Sequence, residues 1–183
     1  MPALPPPTAT WRRSTPATES GGFLSGTLVP GGMWLGSAKG LIYMCNAQGD
    51  IVGSFPAHRG RIYGLLPAWP MVWSIGDDSA VHIWDATAQP TPRLVSTLTA
   101  HKQPLRAMAS LFVPAEGYLI CTGDAEGVVC VWPMNPQVEP LARITLPQNE
   151  ALQAISQMND AVWFGCRRSI HIYALAVRIC TPS

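Results

Sequence analysis

Val72-Trp73-Ser74-Ile75-Gly76-Asp77-Asp78-Ser79-Ala80-Val81-His82-Ile83-Trp84-Asp85 is the stretch that decides the fold of this chain. It reads as a compact apolar run, a polar turn and an alternating run that ends on an aromatic residue. The same phrase occurs twice more, from Met33-Trp34-Leu35-Gly36-Ser37 to Cys45 and from Ile120-Cys121-Thr122-Gly123-Asp124 to Trp132. In all three, the closing residue lies 11 positions after the marker (34 to 45, 73 to 84, 121 to 132). A shorter fourth copy runs from Val162-Trp163-Phe164-Gly165 to Tyr173.

The closing residues 45, 84, 132 and 173 stand 39, 48 and 41 positions apart. A self-similar period in that range with strand-type patterning marks propeller blades, each a unit that buries its faces only by stacking on a neighbour. The pattern predicts an opening strand in each unit (Phe23–Pro30, Arg61–Pro67, Leu105–Pro114, Leu152–Met158), three of them closed by a proline that cannot extend a ladder. Apolar second strands follow at Met33–Ser37, Met71–Ile75, Tyr118–Thr122 and Ala161–Gly165, and alternating third strands at Leu41–Cys45, Val81–Trp84, Val128–Trp132 and Ile170–Tyr173. Three of the turns between them carry Gly, Asp or Ser, the residues that accept left-handed geometry or bond locally to the backbone, and the fourth is Arg167-Arg168. Outer strands are expected at Asp50–Phe55, Leu94–Leu98 and Leu141–Leu146. Helical spacing fits nowhere over a useful length. The expected class is all-β, with about four blades forming a partial or open propeller.

Composition narrows the function classes. Among 183 residues, 48% are apolar and 13% charged, enough to build a core. The net charge of +1 offers nucleic acid no general attraction. No apolar run approaches the ~20 residues of a membrane-spanning helix. Five cysteines without a Cys-x-x-Cys pair fit reduced thiols better than a disulfide framework or a zinc site, which places the expected home in the cytoplasm. Residues 1–22, rich in Pro, Ser and Thr, read as a disordered leader, and residues 23–183 as the repeat domain.

Within the repeats, Ala57-His58, Asp78 and Trp84-Asp85 resemble the Gly-His, turn-Asp and Trp-Asp signature of WD40 repeats of the G-beta type. Ala100-His101, Thr122 and Val131-Trp132 resemble a second copy, and the likeness covers about residues 23 to 177. It implies a hydrogen-bonded network of His58, Ser74, Asp78 and Trp84 in one blade. In the next, it implies His101, Thr122, Glu126 and Trp132. The end units depart: Cys45 and Tyr173 replace Trp, the first unit has no His, and Arg167-Arg168 occupies the acidic turn. The phrasing is also loosely similar to the propeller that precedes the catalytic domain of some inositol polyphosphate 5-phosphatases.

The sequence carries no familiar catalytic motif. No Gly-x-Ser-x-Gly elbow or phosphate loop occurs, and the turn at Gly36-Ser37-Ala38-Lys39-Gly40 leads into a strand, not a helix N-terminus. Cys166 beside Arg167-Arg168 is the one thiol with neighbours that would lower its pKa. His58 and His101 recur at equivalent blade positions, which fits structural repetition better than metal ligation. The expectation is a chain with no enzyme activity, cofactor or metal. Lys39, Arg59, Arg61, Lys102, Arg167 and Arg168 fall in loops that a propeller gathers on one face, where they would form a basic rim for an acidic or phosphorylated partner. Asp77, Asp124 and Glu126 are the acids set against them. The leading expectation is a scaffold for protein partners. The alternative is a regulatory propeller of a larger inositol-phosphate phosphatase. Four units leave two blade faces uncovered, which invites self-association or docking to another propeller.

Overall fold

The structure, a computed structural model, describes residues 20–88, 91–114, 116–135 and 139–175. Among them the strands form four antiparallel sheets in sequence order. Blade 1 consists of β1 (Phe23–Val29), β2 (Gly32–Ser37), β3 (Leu41–Asn46) and β4 (Ile51–Pro56). Blade 2 consists of β5 (Ile62–Ala68), β6 (Met71–Gly76), β7 (Val81–Asp85) and β8 (Arg93–Leu98). Blade 3 follows with β9 (Leu105–Val113), β10 (Gly117–Asp124), β11 (Val128–Pro133) and β12 (Ala142–Thr145). Blade 4 has β13 (Leu152–Met158), β14 (Ala161–Cys166) and β15 (Ile170–Ala174). The protein is all-β, and its blades form an open propeller-like succession. Outside the strands, a single 3-10 turn at Pro147–Asn149 is the only helical element among the described residues.

Alternation dictates the stacking. Successive side chains of a strand point to opposite faces, so each blade offers one apolar set to its predecessor and one to its successor. Trp34, Ile42 and Phe55 of blade 1 pack against Ile62, Leu65, Val72 and Trp84 of blade 2. The rings meet edge to face, Trp34 to Phe55 at 5.6 Å and Phe55 to Trp84 at 5.0 Å. Trp73, Ile75, Val81, Ile83 and Leu98 of blade 2 meet Leu105, Ile120, Cys130 and Trp132 of blade 3. Ala107, Leu111, Cys121 and Val129 of blade 3 meet Leu152, Val162 and Phe164 of blade 4. Each fully buried Leu, Ile or Val contributes about 1.5–3 kcal/mol. Among the described residues, no cluster joins blade 4 back to blade 1.

Backbone bonds from the turns tie blades 1, 2 and 3 to the loops that lead into them, and in blade 4 the Arg168 N–H bonds the Glu150 side chain of its inbound loop. Ala38 N–H donates to Gly22 O at 2.9 Å, Asp77 N–H to Arg61 O at 3.0 Å and Ala125 N–H to Pro104 O at 2.9 Å. Blade 1 is also tied to the next loop, because Gly40 O accepts from the N–H groups of Ala57 and His58 at 2.9 and 3.0 Å. Gly40 sits at φ +79°, and a Cβ there would strike the His58 carbonyl. These bonds put the second-to-third-strand turns and the inbound loops on one face. Residues 1–19 of the expected leader lie outside the described residues, as does Cys180. Residues 20–22 run onto blade 1 through the Gly22–Ala38 bond.

Candidate functional site

Two chains of buried hydrogen bonds rise from the blade interfaces to that face. In blade 2, Trp84 Nε1–H donates to Ser74 Oγ at 2.9 Å, and Ser74 Oγ lies 2.7 Å from His58 Nε2. His58 Nδ1 stands 2.8 Å from Asp78 Oδ1. The carboxylate only accepts, so Nδ1 carries the proton and Nε2 accepts the Ser74 hydroxyl proton. Blade 3 repeats the arrangement: Trp132 Nε1–H to Thr122 Oγ1 at 2.9 Å, and Thr122 Oγ1 to His101 Nε2 at 2.9 Å. Every member of each chain is paired, which is the condition under which buried polar groups hold a fold instead of weakening it.

The acid of the second network is Asp124, and this corrects the expectation for Glu126. His101 Nδ1 donates to Asp124 Oδ2 at 3.0 Å, whereas Glu126 is exposed and accepts from Gln103 Nε2 at 2.8 Å. Asp124 Oδ1 also takes the N–H groups of Glu126 and Val128 at 3.0 and 2.9 Å, closing the turn. The reason is positional. Asp124 ends β10 where Gly76 ends β6, directly beside the histidine. Gly76 has no side chain, and a Cβ there would come within 2.9 Å of His58 Nδ1. Blade 2 therefore reaches its histidine from the turn with Asp78, and blade 3 from the strand end with Asp124. Ser37 holds the same place in blade 1 and bonds Leu41 N–H at 3.0 Å, a turn cap without a histidine.

His82 lies parallel to His58, ring centroids 4.3 Å apart, and its Nδ1–H donates to Ala57 O at 2.6 Å. His58, Asp78 and His82 place one ligand-type atom each within 4.8 Å of one another. Both nitrogens of His58 and one of His82 are already committed to protein partners, so a metal would have to break the network to bind. In blade 4, Ser169 Oγ contacts Glu150 Oε2 at 3.0 Å and His171 Nε2 at 2.9 Å. The hydroxyl gives its single proton to the carboxylate and accepts from His171. That polarity is the reverse of an activated nucleophile. The Cys166 thiol also differs from its sequence reading: burial pushes its pKa up, and the Glu150 charge adds to this. Burial likewise raises Cys121.

Protonation couples the networks to stability. Burial alone would raise the Asp78 carboxyl, but bonds from His58 and the Arg59 and Ala80 N–H groups outweigh it and hold the pKa down to about 2. Asp124 is lowered by the same balance, with His101, Val128 and Glu126 as donors. His82 is lowered by burial and by the neighbouring His58. All three shifts favour the deprotonated native state, so each contribution is present above the group's unfolded pKa and is lost as acid is added. The urea midpoint should fall as pH drops below about 6.5 for His82, then more steeply from about 4 towards 2 for the carboxylates. Asp78→Asn should flatten the lower limb by about 2 kcal/mol. Parallel pH profiles for the two proteins would refute the assignment.

The six rim cations, Lys39, Arg59, Arg61, Lys102, Arg167 and Arg168, are all exposed. Their side chains form no ion pair with a described residue. Nearby acids are spoken for. Asp78 Oδ2 accepts the Arg59 N–H at 3.0 Å, Asp77 Oδ2 the Arg61 N–H at 3.2 Å and Glu150 Oε2 the Arg168 N–H at 3.1 Å. Asp77 pairs at 3.6 Å with Arg106, a residue missed in the sequence because it lies inside β9. The Arg106 guanidinium lies over the Tyr63 ring at 4.2 Å, joining blades 2 and 3. Of the acids set against the rim, Asp124 is almost completely buried on His101 and shields nothing outside. Arg167 and Arg168 share a surface depression with Gln148, Asn149 and Glu150.

No protein-family model matches the sequence, and no curated protein matches it either. Solved structures do resemble the fold. The computationally designed Ika4 protein superposes with a TM-score of 0.72 at 16% identity, over 92% of this chain and 100% of that one. The computationally designed Ika8 protein gives 0.66 at 18% identity, over 84% of this chain and 46% of that one. A chain of a mitotic checkpoint complex gives 0.66 at 17% identity, over 79% of this chain and 46% of that one. This chain thus spans about half the length of the latter two.

Proposed function

We propose that this chain is a WD40-type interaction module, a non-enzymatic scaffold whose basic face captures an acidic or phosphorylated segment of a protein partner. The observation that carries the reading is the rim: six exposed cations on one face, where Asp77, Asp78 and Glu150 are bonded to backbone N–H groups, Asp77 also pairs with Arg106, and Glu126 is the exposed acid bonded only to Gln103. The two histidine networks support the WD40 assignment and hold that face rigid, so ordering a ligand there costs little rearrangement. No helix among the described residues is long and apolar enough to cross a membrane, and the expected setting is the cytoplasm.

The test is fluorescence-polarisation binding of an acidic and a phosphorylated peptide to the wild type and to Arg59→Glu/Arg61→Glu. Surface ion pairs contribute about 0.2–1 kcal/mol each, and reversal adds repulsion. The double variant should bind at least about tenfold more weakly, and wild-type binding should weaken with added salt. Unchanged affinity in the variant would refute the rim. Selective binding of phosphoinositide vesicles over both peptides would favour the regulatory propeller of an inositol-phosphate phosphatase instead.

A further inference from the structure

The two end blades expose the two halves of one repeating interface. On β14 and β15, Trp163 pairs with Ile172 and Gly165 with Ile170. Blade 2 has Trp73 opposite Ile83 and Ile75 opposite Val81 at the same strand positions, and there blade 3 covers them. All four blade 2 residues are 0% exposed, whereas Ile170 is 66% and Ile172 55% exposed. Strand position and pairing are the same, and among the described residues no successor blade covers them. Met158 extends the bare face along β13.

Blade 1 shows the opposite half. Met33 pairs with Cys45 as Val72 pairs with Trp84 and Ile120 with Trp132, the residues that receive the preceding blade. Among the described residues no blade precedes it. Leu35 stands where Ser74 and Thr122 stand, and Cys45 where the network tryptophans stand, so this face has lost its polar members. The small Cys45 leaves a groove of about 450 Å³ lined by Leu28, Gly32, Met33, Leu35 and Cys45. Leu28 at its edge is 71% exposed.

We propose that a second copy of this chain covers both faces: blade 4 of each copy docks on blade 1 of the other, with Trp163 and Ile172 directed at the groove beside Cys45. The contact continues the interface already formed between blades 1 and 2, 2 and 3, and 3 and 4. It uses different surfaces on the two partners, so two such contacts close a ring of eight blades and leave no bare face. The chain superposes on just under half of two longer solved chains, so this blade succession fits within a longer fold. Both faces are mainly apolar and carry no charged side chain among the residues named, with Asn46 in the groove and Ser156 beside Trp163 as their polar members, which argues for self-pairing over a charged foreign partner. The inference concerns the lateral faces and stands independently of what the rim binds.

Light scattering coupled to size-exclusion chromatography tests it on the full chain. The wild type should elute with the mass of two chains. Leu28→Glu/Met33→Glu and Ile170→Glu/Ile172→Glu should each elute as one chain. An equimolar mixture of the two variants should regain pairs, because one intact blade 4 can still dock on one intact blade 1. That rescue also shows that both variants are folded. A wild type with the mass of one chain at all concentrations would overturn the proposal and point to a foreign propeller or to further blades in the same polypeptide. Persistent pairing of either variant alone would overturn it in favour of a face-to-itself contact, and assemblies larger than two chains would overturn the closed ring.

Discussion

Trp132→Ala is expected to lower the free energy of unfolding by about 4 kcal/mol, within the range for a large aromatic removed from a core. Trp132 is fully buried in the joint between blades 2 and 3, against Trp73, Ile83 and Ile120. Truncation opens a cavity in that joint and strips Thr122 Oγ1 of its indole donor. Trp132→Phe separates the two effects, since it keeps most of the ring and loses only the N–H. Its cost should be about 1–2 kcal/mol. Urea denaturation followed by circular dichroism measures both. A Trp132→Ala cost below about 1 kcal/mol would mean that the joint does not exist as described.

Asp124→Ala should cost about 3 kcal/mol, because one carboxylate answers three donors: the His101 ring and the N–H groups of Glu126 and Val128. Removing it strands His101 Nδ1–H in a site that is almost completely buried and opens the β10–β11 turn. Glu126→Ala removes an exposed side chain bonded only to Gln103 and should change stability by no more than about 0.5 kcal/mol. Asp124→Asn keeps an acceptor and should fall between them. If Glu126→Ala proves the more costly of the two alanine variants, the network has been assigned to the wrong acid. The effects of Trp132 and Asp124 should not add, since both act through Thr122 and His101.

The strands were legible because apolar alternation and turn chemistry are local. The fifteen strands of the described residues lie where the pattern of short runs and turns put them, with ends displaced by a few residues at most. Pro30 and Pro114 follow their strands, but Pro67 does not close β5, since it sits opposite Val72 and the strand runs on to Ala68. His58, Ser74, Asp78 and Trp84 were legible because repeat spacing brings them together. Glu126 misled for the same reason: it stands six residues before Trp132, as Asp78 stands before Trp84. A linear offset does not reveal that Asp124, two residues earlier, already touches the imidazole and leaves no donor for Glu126. Arg106 escaped notice because its partners, Asp77 and Tyr63, belong to the preceding blade. The basic rim was legible as loop residues, but not the engagement of the neighbouring acids.

By itself, the sequence determined the unit: an antiparallel sheet whose period-two pattern requires a neighbour on each face, repeated about four times. Tertiary structure decided everything that depends on what stands across an interface. It chose Asp124 over Glu126, tied Asp77 to Arg106, and left Ile170, Ile172, Leu28 and Met33 uncovered at the two ends. The physical reason is one of range. Alternation and turn geometry act over a few residues and are written along the chain. Burial and hydrogen-bond partnership are properties of the space between blades, and that space exists only once the blades have stacked.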